Sequence, residues 1–190
     1  MILSVAKLAG EKILSGAPSG RQFYAKLVEM FPAEPSNPEP LFLDFSGIDI
    51  ATASFLREAV IAFRTFVRSR KSNYYPAVAN AVSDIVDDLV EVVQPRGDVV
   101  MVCTLGVDGE IIRCRHVGTL DPMQQLTFDL VNRYGETTAT RLMEVQKGDI
   151  KVTAWNNRLS SLSSLGLISE QSQGRTKTYK PIFAGGEGGS

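Results

Sequence analysis

The chain of 190 residues carries 20 Lys and Arg against 21 Asp and Glu, a net charge of −1, and 44% of its residues are hydrophobic. This is globular composition, with length for one medium domain or two small ones, and it excludes a wholly disordered chain and a general polycation. No run of about 18 apolar residues occurs, and the short apolar run in MILSVAKLAGEKILSGAPSG is broken by Lys7 and Gly10 without a basic leader, so no membrane partner is expected and a cytoplasmic location is the default expectation.

Residues 1–9 alternate loosely and are expected to start a sheet, and SGRQFYAKLVEMF then repeats Phe23, Leu27, Met30 and Phe31 at helical spacing. FPAEPSNPEP, with four prolines in ten residues, predicts a loop. LFLDFSGID predicts a short apolar strand and a turn, with Asp44 as a turn or cap residue. ATASFLREAVIAFRTFVRSRK follows as a helix striped by Phe55, Leu56, Ala59, Ala62, Phe63 and Phe66. Arg64, Arg68, Arg70 and Lys71 gather toward the C-terminal end of that helix, where cations complement its dipole, so a structural role is expected for them.

NYYPAVANA predicts a strand, and VSDIVDDLVEVV an amphipathic helix with Asp84, Asp87, Asp88 and Glu91 outward. DVVMVCTLGVDGEIIRCRHVG predicts a β-hairpin about Asp108-Gly109. A two-residue turn there pairs residues whose numbers sum to 217, so Cys103 faces Cys114 as a hydrogen-bonded pair with Cα atoms about 5.5 Å apart. The two are a candidate redox pair, although two reduced, buried thiols are the favoured state. The order of elements predicts an α/β sandwich, with a mixed sheet and helices, over residues 1–118.

Residues 119–183 are expected to form a second, α+β domain. Asp121 and Pro122 offer an N-cap and first helical position to a helix carrying Met123, Leu126, Leu130 and Tyr134, ended by Gly135. ETTATRLMEVQ is a second helix, and a third opens near Val152 and runs to Leu165, closed by Gly166. LISEQSQGRTKTYKPIF then predicts two strands about a Gln-Gly-Arg turn, and residues 184–190, AGGEGGS, a flexible tail.

Charge is unevenly placed. Residues 1–120 hold 12 basic against 14 acidic residues, whereas residues 151–183 hold five basic residues (Lys151, Arg158, Arg175, Lys177 and Lys180) against Glu170 alone, which points to a localised anionic partner. On the third helix Trp155, Leu159, Leu162 and Leu165 recur as a buried seam, while Thr153, Asn156, Asn157 and Ser160 lie largely off it. Asn suits a bidentate contact with adenine, Arg with guanine, and Thr or Ser bonds either a base or a phosphate.

Three helices followed by a β-ribbon, with TAWNNRLSSLSSLGLI on the third, resemble the winged helix-turn-helix of bacterial transcription regulators over about residues 121–183. The resemblance implies that the start of the third helix enters the major groove of double-stranded DNA while the wing lies on phosphates or in the minor groove. The expected contacts are Lys151, Thr153, Asn156, Asn157, Arg158, Arg175 and Lys177, in a homodimer whose two heads match successive major grooves about 34 Å apart. LFLDFSGIDIATASFLREAV resembles the core strand and following helix of STAS-like domains, the group related to anti-anti-sigma factors. That resemblance implies a partner or switch surface at Thr52, Ser54 and Phe55; the usual phospho-acceptor position falls on Ala53, Thr52 and Ser54 stand as alternative acceptors, and capping the helix is the role expected of them.

The expectation is a transcription regulator whose STAS-like part receives a signal or protein partner. The alternative is an interaction protein that docks an ATPase-like partner through residues 49–58, with Phe55 and Leu56 carrying the contact; a third is small-ligand sensing by the sheet. With one histidine, His116, and no P-loop, dinucleotide fingerprint or metal-binding cluster, no catalytic residue, cofactor or metal is expected.

Overall fold

The computed structural model describes residues 1–146, 150–174 and 176–183. In chain order the first part contains β1 (Ile2–Ser4), α1 (Val5–Ala9), β2 (Ile13–Leu14), α2 (Ala17–Glu29), β3 (Glu39–Asp44), β4 (Ile50–Ala51) and α3 (Ala53–Leu56). A π-helical turn at Arg57–Ile61 carries α3 into α4 (Ala62–Ser69), followed by β5 (Tyr74–Ala79), α5 (Ser83–Val93), β6 (Val99–Leu105) and β7 (Ile111–Gly118). The second part contains α6 (Pro122–Tyr134), α7 (Ala139–Gln146), α8 (Val152–Ser164), β8 (Ile168–Gln173) and β9 (Thr176–Pro181).

Five strands make one mixed sheet in the order β1-β3-β5-β6-β7, parallel except for the antiparallel β6–β7 pair. Strands that follow one another in both chain and sheet advance in one direction, and right-handed crossovers then put the connecting helices on the same face. That face is the first core, where Leu41, Leu43, Val78, Val100 and Val102 of the strands meet Phe23, Leu27, Phe55, Phe63, Ile85 and Leu89 of the helices. Residues 5–9 belong to this helical layer rather than to a longer first strand: Ser4 accepts a hydrogen bond from the Lys7 amide and starts α1 after only three strand residues.

Alternation along a strand sends the intervening residues the other way. Phe42, Tyr75, Ala77, Ala79, Val99, Met101 and Cys103 form a second core with Leu130, Leu142, Trp155, Leu159, Leu162, Ile168 and Tyr179. A parallel sheet is stable when both faces are covered, and here α6, α7, α8 and the β8–β9 hairpin are the cover. The division expected at residue 118 coincides with the end of β7, yet the two parts share this core. Residues 1–118 expressed alone are therefore expected to expose an apolar face, bind a hydrophobic dye and aggregate, whereas the full chain does not. A monomeric fragment that unfolds cooperatively would show that the sheet does without its cover.

Pro76 sits inside the central strand β5, a position that ordinarily argues against a strand. Its place is explained by the staggered pairing: β5 meets β6 only at Val78 and Ala79, and Pro76 lies ahead of that overlap. The β6–β7 hairpin differs from the two-residue turn expected. Gly106 N donates to Glu110 O and Gly109, at φ +79°, donates to Gly106 O, so Val107, Asp108 and Gly109 form a three-residue loop. A register shift between Thr104 and Leu105 offsets the extra loop residue, and Cys103 still faces Cys114.

Candidate nucleic-acid interface

α8 is buried along one side because Trp155, Leu159 and Leu162 return every three or four residues to the second core, all at 0% exposure. Thr153, Asn156 and Asn157 consequently face outward and are exposed, with the half-buried Ser160 continuing the row. Lys151 is exposed at the N-cap position of α8, but its side chain makes no capping bond. The β8–β9 hairpin follows directly, its register running from Ile168↔Pro181 to Gln173↔Thr176. Thr137, just before α7, bridges Tyr179 of β9 through two backbone hydrogen bonds and ties the hairpin to the helices.

The basic residues of this region are less free than their count suggests. Arg158 is folded back with its guanidinium 5.3 Å from the Trp155 ring centre, and its Nη1 is buried with no partner among the described residues. It is not presented with Asn156 and Asn157, a correction to its expected place in the reading row. The reason is its spacing: three residues after Trp155, its long apolar stem lies along the seam rather than opposite it. Lys177 pairs with Glu170 at 2.6 Å, and Lys180 with Glu136 at 3.0 Å. Pairs this accessible to solvent are worth about 0–1 kcal/mol. Arg175, expected at the wing, lies outside the described residues.

The far end of α8 is held by the sheet part. Arg64 donates to Asp98 Oδ1 at 2.7 Å and to the Leu165 carbonyl at 2.6 Å. Burial pulls its guanidinium below the ordinary arginine pKa, and the Asp98 carboxylate opposes that pull. Arg68 lies 4.0 Å from the Tyr75 ring centre and donates to the carbonyls of Ser72, Tyr74 and Ser163. The Tyr75 hydroxyl in turn accepts from the Glu170 amide at 3.3 Å. Both arginines thus cap the C-terminal carbonyls of α8, a helix about 100 residues away in sequence, where their positive charge complements its dipole. Their role is structural as expected, but their partner is another helix than their own.

The expected switch surface is rearranged. Phe55 is 0% exposed and packs against Phe23 with ring centres 5.6 Å apart, so it belongs to the core and is not a contact residue; Leu56 is also wholly buried. Thr52 occupies the N-cap position of α3 without bonding the helix through its side chain. Its Oγ1 instead accepts from the Gly16 amide at 3.2 Å and lies 3.2 Å from Ser54 Oγ, joining the start of α3 to the start of α2. His116 bridges β7 to α6 through Gln125 at 3.0 Å and an edge contact with Phe128, a structural placement. Asp44 closes the turn after β3 by accepting from the Ser46 amide and hydroxyl and from Asn80.

Cys103 and Cys114 are joined by a disulfide rather than standing as the two reduced thiols that the sequence leads one to expect. Their Cα atoms are 4.1 Å apart, nearer the spacing of a non-hydrogen-bonded pair than the 5.5 Å expected; the three-residue loop and the register shift account for the change. Disulfides persist in oxidising compartments, and a reducing one holds such a pair as thiols. Since the loop closed is short and already restrained by the hairpin, dithiothreitol is expected to lower stability by at most about 3 kcal/mol in paired urea titrations. A larger loss would show that the bond holds α6 onto the sheet as well as closing the hairpin.

Among the described residues no group of three metal-ligating side chains converges, and no helix is long and apolar enough to cross a membrane. No protein-family model matches the chain, and no curated protein matches it in sequence.

Proposed function

We propose that the protein binds double-stranded DNA through the opening turns of α8 and the β8–β9 hairpin, as a transcription regulator whose sheet part receives a signal or a protein partner. The observation that carries this reading is the rigid presentation of Thr153, Asn156 and Asn157: the opposite side of the same helix is sealed in a core by Trp155, Leu159 and Leu162. Amide side chains held this way suit base-edge contacts in the major groove. The order helix, single β-bridge at Thr137, helix, helix, hairpin supports the winged-helix resemblance. The helices and strand around LFLDFSGIDIATASFLREAV support the STAS-like one. A homodimer placing two such helices about 34 Å apart completes the proposal.

The interaction-module alternative loses the two side chains on which it leaned, Phe55 and Leu56, because both are buried. Selection from a randomised duplex pool tests the preferred reading: the full chain is expected to enrich a defined site of two related halves. A pool that stays random after repeated rounds rejects sequence recognition.

A further inference from the structure

Two helices of the protein end in the same way, with different residues in the same seat. At the end of α8, the Leu167 amide donates to Leu162 O and the Gly166 amide to Ser163 O, with Gly166 left-handed at φ +75°. This is the Schellman closure, in which glycine takes the left-handed position because it has no Cβ to clash. At the end of α4, the Ser72 amide donates to Val67 O and the Lys71 amide to Arg68 O, and the left-handed residue is Lys71 at φ +54°. A lysine in that seat is less stable than glycine, because its Cβ crowds the backbone in the left-handed region. An outlier of this kind motivates a functional hypothesis about what its side chain meets.

Lys71 lines a polar cavity of about 180 Å³ between the sheet part and the second part of the chain. Arg68, Ser160, Ser164, Glu170 and Lys177 line it too. Ser160 and Ser164 follow Asn156 at four-residue steps along α8, so they prolong the same row toward the C-terminal end of that helix. Three cations against one carboxylate, Glu170, which Lys177 already contacts, leave a net positive site. The cavity therefore lies on the side of α8 that carries Asn156, toward the C-terminal end of the helix.

We propose that Lys71, together with Lys177, grips a backbone phosphate of the bound DNA, so that the α4–β5 turn of the sheet part is itself a piece of the DNA interface. This rests on the DNA reading above and extends it to a residue outside the helices and hairpin of the second part. It also gives the sheet part a direct route to control binding, since any partner that covers or shifts the α4–β5 turn removes a phosphate contact.

The test measures thermal stability and the affinity for a fluorescein-labelled 30-base-pair mixed-sequence duplex across a salt series, for the wild type, Lys71→Gly, Lys71→Arg and Asn156→Ala/Asn157→Ala. Lys71→Gly is expected to melt at or above the wild-type temperature. It should nevertheless bind the duplex roughly three- to tenfold more weakly near physiological salt, with the slope of log K against log salt smaller by about 0.9, one phosphate. Lys71→Arg should keep the wild-type slope. A Lys71→Gly protein of unchanged affinity and slope, while the wild type binds, overturns the phosphate contact and leaves the DNA reading standing. Displacement of the duplex by millimolar inorganic phosphate in the wild type but not in Lys71→Gly, with no difference in slope, assigns the cavity to a free anion and overturns the backbone contact. Failure of the wild type to bind at low salt overturns both.

Discussion

Replacing Arg64 with alanine is expected to lower the unfolding free energy by about 3–5 kcal/mol, because the change strands a charge and a carbonyl inside the fold. The Arg64 side chain is 7% exposed and its partner Asp98 is 18% exposed. Removal of the guanidinium leaves the Asp98 carboxylate, among the described residues, with the Val99 amide alone, at 2.8 Å, and leaves the Leu165 carbonyl without that donor. The pair itself need not be strongly stabilising, since burial penalises both ions; the asymmetry lies in breaking it. Arg64→Met with Asp98→Asn should therefore recover most of the loss while keeping an acceptor for Val99. Urea titration of the three proteins checks this. An alanine variant within about 0.5 kcal/mol of wild type would mean that the end of α8 is not anchored through this residue.

The second large effect concerns recognition rather than folding. Asn156→Ala and Asn157→Ala are each expected to weaken binding to the selected duplex by about 1–3 kcal/mol, roughly 5- to 150-fold, and to leave binding to a scrambled duplex almost unchanged. Both residues are exposed on α8, and a surface position away from caps and cores tolerates alanine within about 0.5 kcal/mol of stability. Competition between selected and scrambled duplexes separates the two contributions. Equal loss on both would assign these residues to the backbone, and no loss on either would remove α8 from the interface. Arg158→Ala carries a different expectation: stacked over Trp155, it should change stability more than sequence preference.

Several parts of this arrangement are legible in sequence because they are local. Asp121 and Pro122 announce the start of α6, where the structure has a full capping box with Gln124. The seam of Trp155, Leu159 and Leu162 fixes which side of α8 is buried. The pairing of Cys103 with Cys114 follows from strand counting, although the true loop and the register shift are two departures that offset each other.

What escaped depends on contacts between distant segments. β5 and β6 are buried on both sides, so their sequence reads as an apolar run and carries no alternation to announce a second core. Arg64 and Arg68 look like caps of their own helix because the carbonyls they reach lie 101 and 95 residues onward. Phe55 stands next to an exposed turn in sequence, yet the stripe to which it belongs faces Phe23 of α2. The side chain of Thr52 suits a cap of α3, but it accepts from the Gly16 amide of a segment 36 residues earlier instead.

DNA binding itself is tested by equilibrium fluorescence anisotropy of the wild-type chain with a mixed-sequence duplex, titrated from low salt through about 200 mM. If α8 and the β8–β9 hairpin grip the DNA backbone, affinity falls linearly on logarithmic axes with a slope near −0.9 for each phosphate held, and several phosphates give a loss of orders of magnitude across that range. An anisotropy that does not rise with protein at low salt, or an affinity indifferent to salt, would contradict the account.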